Sequence, residues 1–139
     1  MQKHISVTYM SGPYDGKSLR FEQPAFGDEL IINIGRREGC DIEIDFDNQV
    51  SRLHARLICQ AVEVTATDST PNPYHLAFWL EDVDSRNGTF IEKQSEPIKG
   101  RVELRPGILF KVGRTWMRLD VPFSFETTFN ANNASDIPF

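Results

Sequence analysis

Three short segments of the chain contain the side chains best suited to binding an anion. They are Ile34-Gly35-Arg36-Arg37-Glu38-Gly39, Val50-Ser51-Arg52-Leu53-His54 and Ser85-Arg86-Asn87-Gly88-Thr89-Phe90. Arginine presents a rigid fork of N–H donors that fits phosphate or carboxylate, and serine and asparagine add short neutral donors. Each segment alone is also explained by an ordinary feature, namely a solvated arginine, a helix cap and a tight Asn-Gly turn. Binding of phosphate or carboxylate is the chemistry that the three could supply together.

Motifs for other kinds of chemistry fail on their spacing. The stretch Gly12-Pro-Tyr-Asp-Gly-Lys-Ser18 is one residue short of a P-loop, and a strand pattern follows it instead of a helix. The segment 82–88 has an arginine where a calcium loop needs an oxygen ligand. The three histidines are scattered, and neither a GxSxG nor an HExxH motif occurs. We therefore predict neither an enzyme nor a metal or cofactor site.

The composition disfavours several further classes of protein. The 139 residues are 40% hydrophobic and 25% charged, as in a single globular domain. The net charge of −5 disfavours a nucleic-acid-binding protein, because such proteins present a basic surface. No apolar run approaches the roughly 20 residues of a membrane helix, and the first residues lack the pattern of a signal peptide. We expect a cytoplasmic protein without membrane association.

The elements that must hold the three segments are predicted to be short β-strands. Apolar and polar residues alternate in several stretches, most regularly at Ile42, Ile44 and Phe46, which stand between acidic residues. The stretch 50–64 also fits a helical stripe, but its β-branched residues favour a strand from Ala55. Turn residues recur about every 8–12 positions, which indicates an all-β sandwich or barrel. The predicted strands are 5–9, 17–22, 30–34, 41–46, 55–65, 75–83, 89–92, 101–105, 108–112 and 117–121.

The order and spacing of these motifs resemble the forkhead-associated (FHA) family of phosphothreonine-binding modules. The resemblance rests on Gly35-Arg36, Ser51-Arg52-x-His54, Ser85–Phe90, Leu104-x-x-Gly107 and Val112-Gly113. It extends over about residues 5–121 and implies an eleven-stranded β-sandwich whose loops at one end form the peptide site. The family often has aspartate after the glycine that corresponds to Gly107. This chain has isoleucine there, and we expect only local repacking of that turn.

The resemblance also implies roles for residues of the three segments. Arg36, Ser51 and Arg52 are expected to contact the phosphate. Arg86 and Asn87 correspond to the pair that lines the neighbouring peptide groove. There Asn87 would hold the peptide backbone, and Arg86 would read the residues after the phosphothreonine, with a preference for Asp or Glu.

Three other residues of the motifs are implied to be structural. Gly35 would permit the turn after its strand, His54 would tie loops together, and Gly88 would supply the positive φ of the Asn-Gly turn. The acidic stretch Asp41–Asp45 is expected to face away from the phosphate, because carboxylates would repel it.

The chain is predicted to divide into one domain, residues 1–121, and a tail, residues 122–139. The tail is rich in Asn, Ser and Phe and contains no lysine or arginine. Residues 66–74 are predicted to form an exposed loop. Thr127 and Thr128 are candidate phosphosites, through which the tail could occupy this domain's own pocket or that of a second copy. An inert tail is the alternative that the usual behaviour of chain termini favours.

The sequence thus predicts a phosphothreonine-dependent module that binds peptides or proteins as a signalling adaptor downstream of Ser/Thr kinases. The alternative is a scaffolding β-sandwich that binds a folded partner through a sheet face without phosphate. An enzyme is disfavoured because no convergent catalytic set is visible. No cofactor and no nucleic-acid partner are expected.

Overall fold

The chain forms ten β-strands in a computed structural model that describes residues 4–63 and 74–121. None of the described residues forms a helix long and apolar enough to cross a membrane. The strands are β1 (His4–Tyr9), β2 (Ser18–Glu22), β3 (Glu29–Gly35), β4 (Ile42–Glu43), β5 (Ala55–Glu63), β6 (Tyr74–Asp82), β7 (Thr89–Ile91), β8 (Arg101–Glu103), β9 (Leu109–Val112) and β10 (Thr115–Asp120).

The strands build two five-stranded sheets that share one apolar core. The strand order is β2-β1-β10-β9-β7 in sheet 1 and β4-β3-β5-β6-β8 in sheet 2. All neighbours are antiparallel except β3 and β4, which are parallel. Because side chains alternate across a strand, Ile32 and Ile34 of β3 are fully buried, while Ile31, which precedes Ile32, is 45% exposed. Residues from both sheets, such as Leu57 and Phe110, meet in the core.

The predicted all-β sandwich is confirmed, and so is the strand rather than a helix from Ala55. The described residues form ten strands where the resemblance implies eleven. The strand predicted over residues 41–46 was too long. Only Ile42 and Glu43 pair, opposite Ile34 and Gly35 at the end of β3. The alternation beyond them reflects burial of side chains in the core and not continued pairing.

Several predictions fall on residues that the structure does not describe. They are the boundary between domain and tail, the candidate phosphosites Thr127 and Thr128, and most of the loop predicted over 66–74. Tyr74, the last residue of that predicted loop, begins β6.

The connections between strands bring the three segments to one end of the sandwich. Ala55 pairs with Ile34 on one side and with Asp82 on the other, so the end of β3, the start of β5 and the end of β6 lie side by side. The β9–β10 turn of the other sheet joins them. Its Arg114 backbone N donates to Asp47 Oδ2 in the β4–β5 connection at 2.7 Å.

Candidate functional site

Arg36 lies directly after β3, and two hydrogen bonds attach it to the β4–β5 connection. Its backbone N donates to the Ser51 carbonyl oxygen at 3.0 Å, and its Nε donates to the Val50 carbonyl oxygen at 2.9 Å. The second bond orients the guanidinium, whose Nη groups form no ion pair with the residues that the structure describes. The residue is exposed. Arg36 therefore offers an oriented pair of donors to a ligand.

Ser51 joins the β4–β5 connection to the β6–β7 connection. Its Oγ accepts a hydrogen bond from the Arg86 backbone N at 3.0 Å. A hydroxyl that accepts in this way keeps its own proton for another acceptor. Because Ser51 is partly exposed and its carbonyl binds Arg36, a ligand oxygen held by Arg36 can accept that proton.

His54 is fully buried and links the same two connections from beneath. Its Nδ1 accepts from the Ser51 backbone N at 2.9 Å, so the ring proton lies on Nε2, which donates to the Gly88 carbonyl oxygen at 2.8 Å. Burial lowers the pKa of His54 below its ordinary value, against smaller opposite effects of the Gly88 hydrogen bond and the carboxylates of Asp82 and Asp47. The neutral imidazole is thus the form that holds these loops together.

The lowered pKa of His54 predicts a loss of stability on mild acidification. The unfolded chain binds the histidine proton first as the pH falls through about 6.5, whereas the folded chain resists it. The contribution of His54 is therefore complete above that pH and declines below it. Urea unfolding at pH 7.5, 6.5 and 5.5 should show a falling free energy of unfolding.

The variant His54→Gln separates this effect from other titrations. It leaves the Ser51 backbone N or the Gly88 carbonyl oxygen without its hydrogen-bond partner. The free energy of unfolding should therefore fall by about 1–3 kcal/mol at pH 7.5. Its stability should also fall less than that of the wild type between pH 7.5 and 5.5. Equal pH dependence of the two proteins would contradict the role given to His54.

A turn after β6 presents Arg86 and Asn87 to solvent. The Asp82 carboxylate accepts from the Ser85 backbone N at 3.1 Å, from Ser85 Oγ at 2.6 Å and from Thr89 Oγ1 at 2.7 Å. Burial opposes ionisation of Asp82, but these hydrogen bonds outweigh it and lower its pKa. Asp82 therefore holds both arms of the turn as a carboxylate.

Asn87 and Gly88 complete this turn. Asn87 Nδ2 donates to the Gln49 carbonyl oxygen at 2.9 Å, which leaves one amide N–H and the amide oxygen for a ligand. Gly88 has a φ of 86°, and a side chain there would also press on the Pro97 Cβ and the Phe90 ring. Arg86 is exposed and forms no ion pair with a described residue.

Gly35 is needed for a reason that the sequence did not reveal. Its φ lies outside the left-handed region, so conformational freedom in the turn is not what it supplies. A Cβ on Gly35 would overlap the backbone carbonyl of Arg52. The same carbonyl oxygen accepts from the Arg37 backbone N at 3.1 Å. The missing side chain thus lets the first two segments touch, with the exposed Arg52 on the surface above them.

The site has a basic side and an acidic neighbour. The side chains of Arg36, Arg37, Arg52 and Arg86 are exposed around the joined segments. The expectation that residues 41–45 face away is wrong at one end, because Asp45 lines the cleft that Arg36 also lines. The alternation of residues 41–46 predicted a continuous strand, whereas β4 ends at Glu43. The chain that follows places Asp45 in the same cleft as Arg36.

The family of the protein follows from a comparison over the same residues. A model of the FHA domain family matches residues 32–113, which include all three segments. The chain belongs to the FHA domain family. FHA domains are binding modules, not enzymes. No protein with a curated description matches the sequence.

Solved FHA domain structures are similar to the whole sandwich. One from Arabidopsis thaliana is 21% identical with a TM-score of 0.61, over 86% of this chain and 86% of that one. Another, from work on phosphothreonine-dependent FHA domain interactions, is 17% identical with a TM-score of 0.57, over 84% of this chain and 95% of that one. Mycobacterium tuberculosis EmbR, in complex with a low-affinity phosphopeptide, is 19% identical with a TM-score of 0.59, over 85% of this chain and 24% of EmbR. At these identities the similarity shows the fold.

Asp47 and Arg114 line the cleft beside Arg36 in this FHA domain, and sequence reasoning missed both. The buried Asp47 carboxylate accepts from the Gln49 backbone N at 2.9 Å and from the Arg114 backbone N and Thr115 Oγ1, each at 2.7 Å. Burial raises the pKa of Asp47, but these hydrogen bonds outweigh it and lower the pKa overall. The only sequence signal was the turn at Gly113, which does not reveal its partner 67 residues away.

Proposed function

We propose that this FHA domain is a phosphothreonine-dependent module that binds peptides or proteins and acts as an adaptor downstream of Ser/Thr kinases. The observation that carries the proposal is the hydrogen bonding of Arg36, Ser51 and Arg86 into one surface from three separate connections. The work on phosphothreonine-dependent FHA interactions and the phosphopeptide complex of EmbR support the choice of ligand.

The donors at this surface suit a phosphate monoester. Phosphothreonine carries about −1.5 to −2 charges at neutral pH and three strong acceptor oxygens. Arg36 supplies two oriented N–H groups, and Ser51 supplies a hydroxyl proton. Arg52 adds a second positive charge beside them, and its backbone carbonyl is fixed by the Arg37 backbone N. A carboxylate would use fewer of these donors because it has only two coplanar oxygens.

Arg86 and Asn87 extend the surface towards the residues that follow the phosphothreonine. The remaining amide N–H and oxygen of Asn87 can pair with one peptide unit of the ligand. Arg86 places a positive charge on the same side, so an Asp or Glu after the phosphothreonine would be favoured.

Preference for threonine over serine would come from the methyl group. Burying one such group contributes about 0.8 kcal/mol, roughly a fourfold difference in affinity. A larger preference would require the space left by serine to stay empty in the complex.

Four matched peptides test the proposed function. They share one sequence, selected from a phosphothreonine library, and differ in a central phosphothreonine, phosphoserine, threonine or glutamate. The phosphothreonine peptide should bind with a Kd near 1 μM, about −8 kcal/mol. We expect the phosphoserine peptide to bind about fourfold or more weakly, and the threonine and glutamate peptides about 100-fold or more weakly. Fluorescence polarisation measures all four. Unchanged affinity after phosphatase treatment would contradict the proposal.

The outer face of sheet 2 favours a second candidate, a scaffolding role without phosphate. Ile31, Ile58 and Trp79 lie in one cross-strand row on this face, where Ile31 is 45% exposed, Trp79 is half-buried and Ile58 is buried. Binding of a folded partner there would persist in the variant Arg36→Ala, whereas binding through phosphate would not.

A further inference from the structure

A cleft lies beside Arg36 and apart from Arg86 and Asn87. It is formed by the β1–β2 connection, the β4–β5 connection and the β9–β10 turn. We call it the second cleft, and its lining residues include Ser11, Arg36, Asp45, Phe46, Asp47, Asn48 and Arg114. The lining does not include Ser51, Arg86 or Asn87. Arg36 therefore lines the second cleft and also adjoins Ser51, whose Oγ binds the Arg86 backbone N.

Hydrogen bonds fix the walls of the second cleft before any ligand binds. Ser11 Oγ accepts from the Trp116 backbone N at 3.0 Å, which ties the β1–β2 connection to β10. Asp47 ties the β9–β10 turn to the β4–β5 connection through the Arg114 backbone N and Thr115 Oγ1. Each wall is thus anchored to another element, and little ordering would be needed on binding.

The floor of the second cleft is apolar, and its rim can form hydrogen bonds. The half-buried ring of Phe46 packs edge-on against Tyr14, with centroids 5.2 Å apart, and against Tyr9, with centroids 6.1 Å apart. Arg114 and Asn48 are exposed at the rim, and Arg114 forms no ion pair within residues 4–63 and 74–121. An apolar floor with donors at its edges suits an extended peptide.

Its charge argues against a second phosphate. Arg36 and Arg114 are balanced by the carboxylates of Asp45 and Asp47, which also line the cleft. Asp45 is exposed, so its charge would repel an anion. A neutral apolar side chain meets no such repulsion and gains contact with the ring of Phe46.

We propose that the second cleft binds the residues that precede the phosphothreonine, with one apolar side chain packed on Phe46 and Arg114 donating to a backbone carbonyl. The proposal rests on the proposed function, in which Arg36 holds the phosphate and the Arg86–Asn87 groove takes the residues that follow. Since the cleft continues the same surface past Arg36, the chain of the ligand enters it on the preceding side.

A peptide library tests the proposal. Its members have a fixed phosphothreonine and four random preceding positions. The wild type should enrich apolar residues at one preceding position, and the variant Phe46→Ser should not. Two synthetic peptides with leucine or aspartate at that position should differ about tenfold in Kd for the wild type and little for Phe46→Ser. A short peptide that begins at the phosphothreonine should bind both proteins equally.

Two further variants test whether the effect of Phe46→Ser is specific to the second cleft. Phe26→Ser changes a phenylalanine outside the second cleft, exposed in the β2–β3 connection, and should keep the tenfold discrimination. Arg114→Gln replaces the exposed guanidinium by a shorter, neutral amide and keeps the backbone N that binds Asp47. It should weaken the longer leucine peptide about threefold without affecting the short one. This variant keeps the proposal testable if Phe46→Ser does not fold.

The outcomes separate this proposal from the proposed function. If the short peptide binds but the library shows no preference before the phosphothreonine, the second cleft proposal is wrong and the phosphate site stands. Enrichment of acidic residues there, or a dimer in light scattering that Phe46→Ser abolishes, would equally overturn it. If no peptide binds in a phosphate-dependent way, the proposed function itself fails.

Discussion

Replacing Arg36 by alanine should weaken binding of a phosphothreonine peptide by roughly 30- to 1,000-fold, or about 2–4 kcal/mol. In the proposed complex, the variant removes two charge-assisted hydrogen bonds to the phosphate, each of which contributes about 1.5–3 kcal/mol, and water replaces them only in part. It also removes the bond from Nε to the Val50 carbonyl oxygen, so that the β4–β5 connection loses one of its ties. Isothermal titration with the phosphorylated peptide measures the effect.

The variant Arg36→Lys separates charge from geometry. Lysine keeps the positive charge but cannot bond Val50 and the phosphate through one rigid plane. Its affinity should therefore lie between those of the wild type and of Arg36→Ala. If lysine restored full affinity, long-range attraction and not the oriented fork would explain the binding.

Arg105→Ala is the matched control for the charge. Arg105 is exposed in the β8–β9 connection, at the opposite end of sheet 2 from Arg36. Its replacement changes the net charge equally but removes no donor from the site. We expect an affinity within about twofold of the wild type, because charges farther apart than the Debye length of ~8 Å are screened at physiological salt. Equal losses in the two alanine variants would mean that Arg36 holds no phosphate.

The strands and the donors of the site were predictable because their signals are local. Alternation of apolar and polar residues and the turn residues between strands depend only on neighbours in sequence, and together they located the ten strands of the described residues approximately. Arg36, Ser51 and Asn87 stand in short motifs, and their residue types alone identify them as hydrogen-bond donors. Their meeting at one end follows from the antiparallel order of β3, β5 and β6.

The residues that the sequence did not predict depend on contacts between distant segments. Asp47 reads as one more acid in an alternating stretch, yet its carboxylate is buried by partners from the β9–β10 turn. Asp45 approaches Arg36 because β4 ends after two paired residues, which alternation cannot show. The sequence does not predict the second cleft for the same reason, because its three walls come from connections of both sheets.

The site also shows where its rigidity resides. The side chains proposed to bind the phosphothreonine are exposed or partly exposed, whereas the groups that place them are buried: the imidazole of His54 and the carboxylate of Asp47. Each of these bonds backbone atoms of two different connections. A substitution beneath the surface can therefore weaken binding without removing any contact to the ligand.

Gly35 is the backbone position at which the largest effect on folding is expected. In Gly35→Ala the new Cβ overlaps the Arg52 carbonyl oxygen and lies 3.0 Å from Cys40 Sγ. The thiol can move, but the carbonyl is held by the Arg37 backbone N and lies between Ser51 and His54, both of which are hydrogen bonded. Relief of the overlap therefore requires β3 and the β4–β5 connection to separate. We expect a loss of about 3 kcal/mol, and a melting temperature lower by roughly 10–15 °C.

The control is Gly39→Ala, in the same β3–β4 connection. Gly39 has a φ of 101° but no atom within 4 Å of an added Cβ, so its loss should be about 1 kcal/mol from backbone strain alone. Thermal melts of both variants distinguish the destabilisation caused by steric overlap at Gly35 from that caused by backbone strain at Gly39. At low temperature, where Gly35→Ala is still folded, its peptide affinity should also fall, because separating the two segments moves Arg36 away from Ser51. If Gly35→Ala melts within about 2 °C of the wild type, the end of β3 and the β4–β5 connection need not touch.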